Sequence, residues 1–485
     1  VIAKNNVTLR AAPDQLPVIS GRPDAPNDLD LINVAGTDGV TIQGLKLMGG
    51  TDDGITASGA QPLPPATNLT IEGCQFEALN DTGIILNTGS TATIRNNTFS
   101  GLGTGMNRAA NGIGVFNGST VAIIGNTFTN LLGTGVRADF ATITVMNNTF
   151  MGGPMNGQFS DGVQLVRAAA DIIENRFLGL GRIGIGTFFP TGDPAPAQES
   201  TINIFNNLIE ESGTTVPSAG LGMQLVGSTN TRNTFTVASN TINNLAAAGI
   251  LLIGAPATIT NNTFRGGPMN GPSADGMQIL RASANIIGNR ILDIGRLGIG
   301  TFPPTSDSSP GQDSTINIIN NLIANSGTAA AAGSDGLQLV GTTNTRNTFN
   351  LINNTIADNT RGAILYALQA PGSSVRIVNT ILSGSGASFD ILFTTPAVQR
   401  ISDLSLQNCL IDRDPLMAVG QNGNITGDPR FVAPLDGDYH LLPDSPAINA
   451  GDNTAPNLPA IDLGGNPRIA GSAVDIGAYE FQPPS

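Results

Sequence analysis

Apolar and polar residues alternate along this chain in short runs that end on a recurring phrase. Ile143-Thr144-Val145 leads into Asn147-Asn148-Thr149-Phe150, and the phrase returns as Asn96-Asn97-Thr98-Phe99, Asn206-Asn207-Leu208-Ile209, Asn261-Asn262-Thr263-Phe264, Asn320-Asn321-Leu322-Ile323 and Asn353-Asn354-Thr355-Ile356. The apolar residue at its end recurs from Phe76 to Ile381, at intervals of roughly 22–33 residues, as in solenoid coils. A second alternating run opens on glycine: Gly83-Ile84-Ile85-Leu86, Gly162-Val163-Gln164-Leu165, Gly222-Met223-Gln224-Leu225, Gly276-Met277-Gln278-Ile279. Period-two alternation with β-branched residues predicts strands, and no helical stretch is evident. Residues 1–50 already read as coils, through Val7-Thr8-Leu9 and Val40-Thr41-Ile42. The phrase asparagines suit a left-handed corner, and their amides suit a hydrogen-bond ladder from coil to coil.

A larger repeat overlies the coils. Residues 147–244 align without gaps on 261–358, sharing Gly-Ile-Gly-Thr-Phe at 184–188 and 298–302 and Thr-Arg-Asn-Thr-Phe at 231–235 and 345–349. This is a tandem duplication. Each copy carries a Pro-rich excursion, 189–199 and 303–313, which is expected to leave the coil as a loop because proline breaks a central strand. From Asp412 the anchors stop and Pro and Gly rise. The expected division is a solenoid over 1–411 and an irregular C-terminal cap over 412–485 that closes the last coil.

The repeats resemble right-handed parallel β-helix proteins of the pectate-lyase-like superfamily. Asp428-Pro429-Arg430-Phe431, Ser445-Pro446-Ala447-Ile448-Asn449-Ala450-Gly451 and Val474-Asp475-Ile476-Gly477-Ala478-Tyr479-Glu480 are similar to the choice-of-anchor Q segment of large secreted bacterial β-helix proteins. The resemblance implies an all-β, right-handed, single-stranded parallel β-helix solenoid of about 14 coils, and an exported bacterial protein, extracellular or at the cell surface.

Composition narrows the partners. The formal net charge is −14, so no basic face is expected for nucleic acid. No run approaches the ~18 apolar residues of a membrane-spanning helix. The two cysteines, Cys74 and Cys409, lie too many coils apart to pair and are expected as buried thiols in the ladder slot. The chain starts at Val1 without Met; a leader or earlier residues are expected to have preceded it, or another chain to cover the open first coil.

Enzymes on this fold that cleave acidic glycans by elimination need a base and a cation or arginine to neutralise the carboxylate; hydrolysis needs paired carboxylates. Asp52-Asp53-Gly54-Ile55 resembles the paired aspartates of polygalacturonases. The companion His-Gly and Arg-x-Lys signatures are missing, and a solvated turn is the expectation. Asp161 and Asp275 precede glycine in equivalent coils, and Asp335 precedes Gly336. With Arg167 and Arg281 six residues on, they predict an Asp–Arg row able to hold calcium or a uronate, set against plain turn aspartates and edge arginines. Trp is absent, so sugar stacking would fall to Phe188, Phe189 and Phe302 beside the Pro-rich loops.

Two functions follow. The first is an exported non-catalytic structural protein of matrix, adhesion or filament type, requiring no cofactor, whose Val1 end could dock on the C-terminal cap of another copy. The alternative is a polysaccharide lyase or hydrolase acting on acidic glycans. A purely glycan-binding rod lies between them.

Overall fold

A computed structural model describes all residues except 22–29, 50–51, 59–63, 104–109, 155–158, 189–197, 228–230, 303–312, 332, 342–345, 369, 385, 387–388, 395–401, 417 and 484–485. The chain forms two compact units, Val1–Phe235 and Thr236–Ser485. Both are built from parallel strands, three to a coil, and the described helical segments are short 3-10 turns. One coil shows the plan. Thr142–Met146 lies in a first sheet, Thr149–Met151 in a second and Val163–Val166 in a third; the next strand, Ala169–Ile173, returns to the first sheet beside Thr142–Met146. The duplicated coils of the second unit follow the same plan, with Ala257–Thr260, Thr263–Arg265 and Asp275–Leu280.

Alternation explains the core. Ile143, Val145, Phe150, Val163 and Leu165 are all buried, while Thr144 and Gln164 between them face outward. Phe76, Phe99, Phe128, Phe150 and Phe177 stack in register, their ring centroids 4.6–4.8 Å apart and their planes within 7°. That spacing is the inter-strand distance of a sheet, so the anchors overlie one another.

The two phrase asparagines have separate tasks. The first adopts the left-handed corner: Asn96, Asn147, Asn206, Asn261, Asn320 and Asn353 have φ between 51° and 59°. The second is buried and builds the ladder. Asn148 accepts from Asn126 N at 2.8 Å and donates to Ile123 O, Met146 O and Asn175 Oδ1 at 2.8–3.0 Å. The thiols of Cys74 and Cys409 are free and buried in this slot, and burial pushes the Cys409 pKa up to about 12. The glycine opening each third-sheet strand has a steric cause. A Cβ on Gly162 would stand 2.4 Å from the Phe177 ring and 2.5 Å from the Gly184 carbonyl oxygen.

The C-terminal segment departs from the expected cap. Asn424 Oδ1 accepts from Cys409 N at 2.9 Å, and Ile425 bridges Leu410, so residues near 425 do stack on the last coil. The rest turns back along the second sheet of its own unit. Its rail is the row of left-handed corner asparagines. Asn353 Nδ2 donates to Asp475 O and Gly477 O, Asn379 exchanges bonds with Asp452, and Asn408 Nδ2 reaches Ala450 O. Tyr439 Oη donates to Asp358 at 2.9 Å, and Arg290 to Leu463 O at 2.7 Å. Leu322, Ala324 and Ala357 pack against Tyr439, Leu463, Ala478 and Tyr479. Much of the segment expected to receive the Val1 end of another copy therefore lies against its own chain, because those outward positions are apolar.

Candidate functional site

The site grows from the corner that opens the third sheet. There a buried polar side chain bonds the backbone of the following coil. Asp161 Oδ1 accepts from Ile183 N at 3.1 Å, Asp275 Oδ1 from Leu297 N at 3.0 Å and Asp335 Oδ1 from Gly362 N at 3.0 Å. The residue just before each donor is an arginine. Arg182 Nε donates to Asp161 at 2.8 Å, Arg296 Nε to Asp275 at 2.7 Å and Arg361 Nε to Asp335 at 3.1 Å, and in each pair Nη2 closes a second, short bond. Gln164 and Gln278 each add an amide donor, at 2.6 and 2.8 Å. Burial raises the Asp335 pKa, against the opposing pull of Arg361.

The expected Asp–Arg row is thus corrected in its partners. Asp161 meets Arg182, not Arg167, and Asp275 meets Arg296, not Arg281. The strand Val163–Val166 ends before Arg167, whose φ of 49° breaks the alternation. Arg167 instead bonds Asp139 of the preceding coil at 2.8 and 3.3 Å, and Arg281 has the same left-handed backbone, φ 50°. Nor do Asp161 and Asp275 fit calcium. Their oxygens already face guanidinium, amide and backbone donors, and their side chains are fully buried; an ion would have to displace the arginine.

On the outer face, two of the three clamps steady an arginine against an aromatic ring. The Arg182 guanidinium lies 5.5 Å from the Phe188 ring centroid and 5.9 Å from that of Phe159; Arg296 lies 5.4 Å from Phe302. These are cation–π distances. Phe188 and Phe302 fold back across Gly186 and Gly300, where a Cβ would come within 2.6 Å of the ring. Both rings are half-exposed, and the arginine side chains remain 20% and 31% exposed, so the pairs are open to a ligand. Phe189 and nearly all of the two Pro-rich excursions lie outside the described residues.

The corner of Asp53 lacks the arginine. Asp53 Oδ1 accepts from Thr82 N at 3.0 Å in the same manner, but the residue before Thr82 is Asp81. Asp53 is 6% exposed, which corrects the expectation of a solvated turn. Burial, with Asp52, Asp81 and Asp30 nearby, pushes its pKa up to about 7. Oxygens of Asp30, Asp52 and Asp53 lie within 4.8 Å of one another. The folded pKa exceeds the unfolded one, so this carboxyl favours the fold when protonated. Its contribution is full below about pH 4 and is lost as pH rises to 7. Asp53→Asn is expected to raise the stability of Val1–Phe235 at pH 8 by roughly 2–4 kcal/mol and to leave it nearly unchanged at pH 4. Denaturant melts at the two pH values check this.

The right handed beta helix region family matches residues 30–187 and 197–411. Among solved structures, the periplasmic alginate epimerase AlgG is 14% identical, with 65% of this chain and 76% of that one covered and a TM-score of 0.46. Pectate lyase Pel9A is 14% identical, with 75% and 88% covered and a TM-score of 0.42. Tailspike protein 3 of bacteriophage CBA120 is 11% identical, with 83% and 56% covered and a TM-score of 0.44. No curated protein matches the sequence. Likenesses at these identities concern the fold, while activity depends on the site.

Proposed function

Since the chain belongs to the right-handed β-helix family, we propose that it is an exported, non-catalytic protein that holds an acidic extracellular polysaccharide against the outer face of the third-sheet strands in each unit. The observation that carries this reading is the repeated Arg–Phe pair, Arg182 with Phe188 and Arg296 with Phe302. A half-exposed ring offers a stacking surface for a sugar. The adjacent guanidinium keeps donors for a carboxylate after its own aspartate is bound. The aspartates beneath are clamped structural groups, which favours binding over turnover. The similarity of the tail to choice-of-anchor Q segments supports export.

A panel of acidic and neutral glycans tests the reading. Polygalacturonate or alginate is expected to bind without being cleaved, and neutral glucans are not. Phe302→Ala should weaken binding by about 0.5–1.5 kcal/mol, several-fold in affinity. Binding indifferent to glycan charge, or lost from neither Phe188→Ala nor Phe302→Ala, contradicts it.

Asp53 favours a second reading, hydrolysis, because a carboxyl near pH 7 beside Asp52 suits a general acid. Release of reducing ends that is abolished by Asp53→Asn would establish it; an intact polymer after prolonged incubation would remove it.

A further inference from the structure

Three arginines of the unit Val1–Phe235 stand on or beside the outer face of the third sheet. Two have carboxylate partners: Arg167 with Asp139 and Arg182 with Asp161. Arg137 does not. It lies on the strand Thr134–Asp139, between Val136 and Ala138, which are fully buried, so its side chain points outward. Its register neighbours are Gly114 on one side and Gln164 on the other.

Neither neighbour offers it a charge. Gly114 has no side chain, and the space over it holds the Phe116 ring, which a Cβ there would meet at 2.5 Å. The Gln164 amide is turned to Asp161 at 2.6 Å. Asp139, two residues along the same strand, is engaged by Arg167 at 2.8 and 3.3 Å. The one carboxylate on this strand is thus taken by Arg167, and Arg137 adds a positive charge without a paired carboxylate on a chain of net −14. The Arg137 Nε is shielded from solvent and has no hydrogen-bond acceptor among the described residues. A buried donor is rarely left without a partner, and a guanidinium is shaped for a planar oxyanion.

We infer that Arg137 is a subsite for one carboxylate of the bound polysaccharide, with the Phe116 ring beside it as the surface for the same sugar. This rests on the acidic-glycan reading and adds a further guanidinium, free of a carboxylate partner of its own among the described residues, that favours the acid over its neutral form. A hexuronate residue supplies both a carboxylate and a ring face. A methyl-esterified residue keeps the ring face and loses the charge.

Calorimetric titration of the full chain with oligogalacturonate and with its methyl ester tests the inference. Wild type is expected to prefer the acid by at least about tenfold, the scale of a hydrogen bond to a charged group. Arg137→Ala should cut that preference several-fold, leaving what Arg182 and Arg296 supply, while keeping the wild-type thermal midpoint and weak ester binding. Arg137→Lys, which keeps the charge but loses the fork, should restore part of it. Acid binding that Arg137→Ala leaves unchanged, but Phe188→Ala weakens, overturns this inference and leaves the glycan reading standing. Wild type that binds neither oligomer overturns both.

Discussion

Replacing Arg468 by methionine is expected to free the C-terminal segment from the coils it covers, at a cost of roughly 3–5 kcal/mol, the scale for breaking a buried charge network from one side. Arg468 is 2% exposed. It donates to Gly477 O at 3.1 Å and Ala478 O at 2.9 Å, and also to Asn320 Oδ1. Burial pushes its pKa down to about 10, while Asp462, Glu480 and Asp475 pull the other way. Methionine fills the volume but leaves those carboxylates without a cation and two carbonyls without a donor. The segment should then expose Leu322, Ala324 and Ala357, seen as binding of a hydrophobic dye and as early proteolysis between 412 and 428. A variant as protease-resistant as wild type would show that apolar packing alone holds the segment.

The second large effect separates the two phrase asparagines. Asn148→Ala should destabilise its unit by roughly 3–5 kcal/mol, since each buried group left unpaired costs about 1–3 kcal/mol. Asn126 N loses its acceptor and Ile123 O loses a donor, while Asn126 Nδ2, Met146 O and Asn175 Oδ1 each lose one of two or more bonds. Asn147→Gly, one residue away, should be within about 1 kcal/mol of wild type, because glycine adopts φ 56° without a steric penalty. Chemical denaturation of both variants checks the contrast. Equal losses would mean that the ladder and the corner are one cooperative device.

The coil itself was legible because its signals are local. Alternation gives the strands, the anchors give the stack, and the left-handed asparagine gives the corner. The Asp–Arg pairing was not read correctly, because the partner stands in the next coil. Gly162 and Gly184 are equivalent, so Ile183 stacks on Asp161 and Arg182 falls beside its carboxylate; counting by coils instead of along one strand would have found it. The course of the C-terminal segment left a subtler trace. Between the duplicated blocks Glu210 becomes Ala324, Asn243 becomes Ala357, Phe205 becomes Ile319 and Ala238 becomes Ile352. The new residues are buried under the segment. Outward positions that turn apolar or small in one copy mark a covered face. Asp53 was misread for another reason: Asp-Asp-Gly suggests a solvated turn, and only the coil above shows that Thr82 N holds the carboxyl inside.

Hydroxyl-radical footprinting of the full chain, with and without saturating oligogalacturonate, tests the central claim most directly. It reads side-chain access at Phe188 and Phe302 against Leu435, which is fully exposed on the C-terminal segment. Protection of both phenylalanines with Leu435 unchanged is the predicted result. Bound oligomer that leaves both rings as reactive as before would place the glycan elsewhere and contradict the assignment of the third sheet's outer face.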